Sequence, residues 1–450
     1  MINQEHNLHR GLGRRQMEMI AVGGCIGTGL FMGAGKTISL AGPAIIFVYA
    51  VTGLMLYFVM RAMGELLLFD LNYKSFVDFT NDLLGPQAGF FVGWSYWFAW
   101  IVAAIAEIIA ITSYIAFWWP AMPPWITALL TVLLLLTINL LAVGAFGELE
   151  YWLAIVKVAA IIGLIALGLW LTMTEYTSPE GRTAQVSNLW SYGGVFPNGL
   201  IGIIAALQTT IFAFAGMEIV GTLSAEAKNP EKALPEAIRR IPWRILVFYI
   251  GTVTVMMMVT PWVDISPDHS PFVGMFTLVG LASAASVVNL VVVSSATSSS
   301  NSGIFATSRM LFGLAQSHKA PAIFGKLSSH RIPTGGVFFA TLLMLLVSVT
   351  LTTTGSFMEA FQMVGSVTAL LFIFVWTMIL LAHRKYRLRN PEDHRTSAFP
   401  MPYSNIMTMV VLAFFLVAIL ALFLDEVTRI ALLILPLWFL LLAGLYRIRR

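Results

Sequence analysis

The sequence predicts an all-α polytopic membrane protein of twelve transmembrane helices, built as two inverted repeats of five helices plus two accessory ones. Three observations predict it: a strongly apolar composition, a succession of apolar spans of membrane length, and interruptions in the first and sixth spans. Hydrophobic residues make up 58% of the 450 positions and charged residues 11%, against about 25% charged residues in ordinary soluble domains.

Twelve spans follow from the apolar runs: Met17–Thr37, Pro43–Met63, Gln87–Trp118, Trp125–Val143, Tyr151–Met173, Gly199–Leu223, Trp243–Val263, Leu278–Ala306, Gly336–Thr353, Phe357–Ala382, Ile406–Leu424 and Arg429–Tyr446. Most exceed the ~20 residues that cross a bilayer core of ~30 Å. Basic residues set the orientation, because cytoplasmic loops are enriched in Lys and Arg. With the N-terminus inside, 22 of the 26 Lys and Arg residues face the cytoplasm. Only Lys36, Arg182 and Arg429 lie on the outer side, and Lys157 remains within a span. A miscounted span would scramble this split. The same asymmetry accounts for the net charge of +4 without nucleic acid, since these positives meet anionic headgroups.

The first sixteen residues are polar and basic, and no small-residue cleavage site follows the first span, which reads as a retained membrane helix rather than a signal peptide. One cysteine, Cys25, excludes an intrachain disulfide and a cysteine-based metal site; no metal or cofactor is expected. His6, His9, His269, His318, His330, His383 and His394 are all placed in loops or termini, which leaves no catalytic constellation at depth and argues against an enzyme. Repeated polar faces are missing from most spans, which disfavours a channel.

The first span contains Gly23-Gly24-Cys25-Ile26-Gly27-Thr28-Gly29, four glycines in seven residues. Each interior glycine costs a helix about 1 kcal/mol relative to alanine. Gly23 and Gly27 also have the four-residue spacing of helix–helix packing, but the density of glycine favours a break. Broken backbone is tolerated in hydrocarbon only when buried in protein or lining a wet cavity. It presents amide N–H groups on one side and carbonyls on the other, the partners that a zwitterion requires. The sixth span has a second weak point, Phe212-Ala213-Phe214-Ala215-Gly216-Met217-Glu218. Five spans separate the two, which is the pattern of inverted repeats whose discontinuous helices meet at the midplane.

The chain therefore divides into a cytoplasmic N-terminal tail (1–16), a first repeat (17–173), an outer loop (174–198), a second repeat (199–382), a cytoplasmic loop (383–405), and accessory helices with a cytoplasmic C-terminus (406–450). Tyr73–Leu84 is amphipathic and suits a short helix on the cytoplasmic face; Ala225–Arg240 and Arg309–His318 read as further short cytoplasmic helices.

Three ionisable residues lie at depth, where a charge costs at least ~2.5–3.5 kcal/mol. Glu107 reads either as a hydrogen-bonded structural acid or as a polar lining group near a substrate or proton path. Glu218 either accepts from loosened amides of the sixth-span break or carries a proton. Lys157 either snorkels inward or places its ammonium against first-span carbonyls as a titratable cation. Ser294–Ser302, rich in hydroxyls, offers polar groups beside Lys157, although most of them suit helix backbone and neighbours. Arg61 and Glu65, four apart at the inner end of the second span, read as a surface ion pair.

Cys25-Ile26-Gly27-Thr28-Gly29-Leu30-Phe31-Met32-Gly33, Ala41-Gly42-Pro43, Met60–Glu65, Phe146–Trp152, Phe214–Glu218 and Glu226-Ala227-Lys228-Asn229-Pro230 resemble the bacterial amino acid permeases of the amino acid–polyamine–organocation superfamily, over essentially the whole chain. Gly35–Pro43 and Tyr73–Phe76 are similar to its D-serine/D-alanine/glycine transporter branch. The resemblance implies a LeuT-type fold and proton-coupled uptake. It implies that the substrate carboxylate meets amides around Gly27, Thr28 and Gly29, and that the ammonium meets carbonyls near Cys25, Phe212 and Ala215. The substrate-binding set is then Cys25, Ile26, Gly27, Thr28, Gly29, Trp100, Ala103, Ala104, Phe212, Ala213, Phe214, Ala215 and Gly216. Phe212 resembles the family's aromatic gate, and Lys157 matches a lysine that replaces sodium in some relatives; Glu107 and Glu218 join it as coupling candidates. In that branch the acid at the Glu107 position is aspartate and the two small residues are not both alanine. Ala103, Ala104 and Glu107 depart from it and leave the exact substrate open.

The expected partners are a small neutral amino acid, a proton and membrane lipid, with no nucleic acid and the oligomeric state left open. The location implied is the bacterial inner membrane. The alternative is an exchanger, or a permease for another amino acid such as proline, threonine or lysine.

Overall fold

The computed structural model describes residues 26–73, 75–140, 143–179, 181–223, 229–268, 270–278, 282–353 and 356–448. Every extended regular element among them is helical, as expected of backbone that must satisfy its own hydrogen bonds in lipid. Among the described residues eight helices are long and apolar enough to cross a membrane, and Pro124–Asn139 and Gly199–Ala213 are shorter apolar helices.

In chain order, α1 (Thr28–Phe31) leads into α2 (Gly33–Ala41), and α3 (Ile45–Phe69) follows a sharp corner at Gly42 and Pro43. The amphipathic α4 (Phe76–Leu84) is closed at its start by a capping box: Ser75 Oγ accepts from the Val77 amide while Asp78 accepts from the Ser75 amide. Such reciprocal caps satisfy amides that the helix itself leaves open. Next come α5 (Pro86–Ile115), α6 (Pro124–Asn139) and α7 (Val143–Met173). The second half holds α8 (Gly199–Ala213), α9 (Ile219–Leu223), α10 (Pro230–Arg239), α11 (Ile241–Arg244) and α12 (Thr252–Val259), the last two joined by a π-helical stretch, Ile245–Gly251. Then follow α13 (Pro271–Leu278), α14 (Ala282–Gln316), α15 (Thr334–Thr353), α16 (Phe357–Arg389), α17 (Pro391–Thr396), α18 (Ser404–Ala421) and α19 (Glu426–Ile448).

The most enclosed helix is α5, which packs lengthwise against α14 and α16. It is apolar on nearly all sides, the signature of a helix surrounded by protein. By contrast, α18 and α19 leave large apolar side chains such as Leu416, Leu420, Leu433 and Leu440 exposed. In a membrane protein such a face is turned to lipid.

Several sequence expectations shift. The fifth span begins at Val143 rather than Tyr151, so Glu150 lies inside a helix. Arg309–His318 is not a separate helix: α14 runs unbroken to Gln316, and at about 1.5 Å per residue its 35 residues outrun the bilayer core. Arg61 and Glu65 do not pair. Glu65 is buried and accepts from Met401 N at 2.8 Å, with His383 Nε2 at 2.8 Å and His394 Nδ1 at 2.6 Å. Arg61 instead donates to the Pro400 carbonyl and lies over the Phe399 ring. His383 is accordingly not a loop residue; it is fully buried within α16. A carboxylate four residues from an arginine on one helix can pair with it, but here long-range partners reach both first.

Candidate functional site at two interrupted helices

Among the described residues the first helix begins at Thr28. Gly27 before it is extended, at φ −126° and ψ −168°. The Ile26 carbonyl accepts from Ser295 Oγ of α14 at 3.0 Å instead of from a helical amide. Cys25 lies outside the described residues. The sixth-span element stops at Ala213, turns through residues 214–218, and resumes at Ile219. Gly216 sits at φ +100°, a left-handed conformation natural only to glycine. The Glu218 carboxylate reaches back across this turn and accepts from the Gly216 amide at 3.2 Å, with Tyr96 and Trp376 beside it.

The start of α1 touches the end of α8. A Cβ added to Gly29 would come within 2.6 Å of Ala213 Cα. Only a residue without a side chain permits backbones to approach so closely. At this contact a small pocket of about 20 Å³ is lined by Gly27, Gly29, Trp100, Ala103, Ala104, Glu107, Phe212, Ala213, Ala215 and Ser299. Thr28 joins it through its amide, which lies 3.3 Å from both Glu107 carboxylate oxygens. Phe212 stands edge-on to Phe361, with ring centroids 5.5 Å apart, and rests on Gly365. Phe214 is not part of the pocket; it stacks on Tyr249 at 4.4 Å. Ile26 and Gly216 shape the two breaks without lining the pocket.

Lys157 is fully buried in α7 and interacts electrostatically with both Glu107 and Glu150. Glu150 was not singled out from the sequence as a site residue. It accepts from Ser298 Oγ at 2.6 Å, Asn301 Nδ2 at 2.7 Å and Ser302 Oγ at 3.3 Å, all on α14. Asn139 of α6 adds a bond to Asn301 at 2.6 Å. The signal that would have found Glu150 is its spacing: it lies seven residues, two helical turns, before Lys157, on the same face. Within the hydroxyl run, Ser298 and Ser302 serve this carboxylate, Ser295 serves Ile26, and Ser294 and Thr297 bond their own helix.

A second, larger cavity of about 770 Å³ lies beyond the C-terminal end of α5, bordered by Met32, Tyr114, Arg182, Asp264, Ser270 and Asn289. Its rim carries the ion pair Arg182–Asp264 at 2.9 Å.

The family model described as amino acid permease matches residues 16–449. The D-serine/D-alanine/glycine transporter of Escherichia coli (strain K12) is 52% identical over 438 residues, covering 97% of this chain and 93% of that protein. An amino-acid permease of Bacillus subtilis (strain 168) is 45% identical over 99% of this chain and 96% of its own length. An aromatic amino acid transport protein of Escherichia coli O6:H1 is 36% identical over 98% and 96% respectively. With a family match across nearly its whole length and relatives this similar over most of theirs, the chain belongs to the amino acid permease family.

Proposed function

We propose that the chain is a twelve-helix, proton-coupled permease, built as two inverted five-helix repeats with both termini cytoplasmic, that takes up glycine, alanine and serine, including D-alanine and D-serine. The observation that carries the reading is the contact of Gly29, at the start of α1, with Ala213, at the end of α8, beside a small pocket lined in part by Gly27, Ala103 and Ala104. Helix starts attract carboxylates and helix ends attract ammonium groups, so one small zwitterion bridges the two breaks. Its carboxylate takes the amides of Thr28 and Gly29; its ammonium takes carbonyls at the end of α8. Ala103 and Ala104 leave room for only a short side chain. The similarity to a D-serine/D-alanine/glycine transporter supports that size class.

Phe212 closes over the substrate, and rocking of one helix group against the other exposes the site inward. Binding drives this only by as much as it favours the closed state over the open one. Lys157, between two buried carboxylates, is the coupling cation: protonated it holds the polar seam together, and proton release lets the seam part. Glu107, on the Thr28 amide, and Glu218, on the Gly216 amide, are the further acids that carry the proton in this reading.

The test is uptake of labelled glycine into proteoliposomes under an imposed pH gradient. Accumulation that collapses with a protonophore and is competed by D-alanine and D-serine is expected. Uptake that appears only when amino acid is preloaded inside identifies an exchanger instead.

A further inference from the structure

We propose that Glu107 is a tethered competitor of the substrate: its carboxylate holds the Thr28 amide until an amino acid carboxylate displaces it. This deepens the permease reading and rests on it. Both Glu107 oxygens lie 3.3 Å from the Thr28 nitrogen, although the two residues stand 79 positions apart and on different helices. The surroundings are shaped to the acid, since a Cβ on Gly27 would meet Glu107 Oε1 at 2.6 Å and Ser299 Oγ at 3.0 Å. The remaining space, about 20 Å³, suits roughly one water molecule. An amino acid enters only if something leaves, and Glu107 is the side chain already seated on the group that a carboxylate needs.

Two further residues that line the same pocket, Ser299 and Trp100, carry hydrogen-bond donors. The Ser299 hydroxyl and the Trp100 indole N–H are buried and have no hydrogen-bond partner among the described residues. Donors with no acceptor beside a carboxylate-filled amide mark a site built for more acceptor atoms than Glu107 supplies. The displaced carboxylate has a destination as well, because Lys157 attracts it from within the protein. Glu107 thus sets a threshold for affinity and favours ligands small enough to share the cavity with the retracted acid.

The decisive experiment is equilibrium binding of radiolabelled glycine to the purified full-length protein in detergent, comparing the native chain with Glu107→Ala and Glu107→Gln. Removing the competitor tightens glycine binding by about tenfold or more in Glu107→Ala, the scale of one charge-assisted hydrogen bond. Glu107→Gln, which keeps the volume and loses the charge, falls between. Acetate, a carboxylate without an ammonium, competes with glycine in Glu107→Ala far better than in the native protein. Weaker glycine binding in both variants overturns the inference, since it makes Glu107 an acceptor for the substrate ammonium; unchanged affinity overturns it too. In either case the permease reading survives as long as the native chain binds glycine. Failure of all three proteins to bind any small neutral amino acid, each eluting as a single sharp species, sinks the permease reading and the inference together.

Discussion

The Tyr249 hydroxyl donates to the Ala213 carbonyl at 3.0 Å, 36 residues away, at the point where α8 ends. A helix that stops inside the protein leaves carbonyls without amide partners, and this phenol takes one of them. Phe214 stacks against the same ring and Tyr49 lies beside both. The sixth-span turn is thus braced from behind by aromatic side chains while its other face borders the pocket. Tyr249→Phe keeps the stacking and orphans the carbonyl, and is expected to cost about 1–3 kcal/mol. A thermal melt of the detergent-solubilised protein checks this; an unchanged midpoint would show that the break needs no brace.

Gly29 is a position at the pocket where a methyl group is poorly tolerated. Gly29→Ala puts a Cβ against Ala213 backbone, which cannot rotate aside, and overpacking of this kind costs about 1–3 kcal/mol. Uptake should fall steeply even where the protein still folds. Gly163→Ala in α7 meets nothing within 4 Å and is expected to transport normally, gaining about 0.5–1 kcal/mol of stability from better helix propensity.

Removal of the buried cation separates coupling from binding. Lys157→Ala should abolish gradient-driven accumulation of glycine and leave exchange of internal for external substrate measurable. Accumulation at the native level by this variant eliminates Lys157 as the coupling group.

The polar seam between α7 and α14 gives a test of stability. Glu150→Ala deprives Ser298, Asn301 and Ser302 of their acceptor, at about 1–3 kcal/mol for each donor left unsatisfied. Glu65→Ala should be similarly damaging, because it strips His383 and the Met401 amide of their partner inside the fold. Both variants are read as melting temperatures. A double variant that loses the sum of the two single losses is expected, since the two clusters share no residue.

The fold was readable where a single physical period dominates. Apolar runs located several helical segments to within a few residues, as at Gln87–Trp118 against Pro86–Ile115, while others such as Leu278–Ala306 against Ala282–Gln316 were off by as much as ten at one end. The need for glycine was readable at Gly27 and Gly29, which stand where no side chain fits, while the residues before Ile26 lie outside the described ones. What escaped were side chains whose partners come from far along the chain. Glu65 looked like the neighbour of Arg61, and only the packing of α3 against α16 and the segment after it reveals His383, His394 and Met401 around it. Glu150 was hidden by a helix start placed eight residues late, which left it looking like part of a loop. Phe214 was grouped with the pocket because it sits within the break, yet its ring turns toward Tyr249. Local sequence reports that a turn is present; it does not report which way each side chain leaves it.

An experimental structure with glycine bound would show whether the substrate sits where the start of α1 meets the end of α8. The ligand carboxylate is expected on the Thr28 and Gly29 amides, with Glu107 withdrawn from the Thr28 nitrogen and Phe212 over the ligand. Glycine found instead in the larger cavity beside Arg182 and Asp264, with Glu107 still on Thr28, would contradict the account.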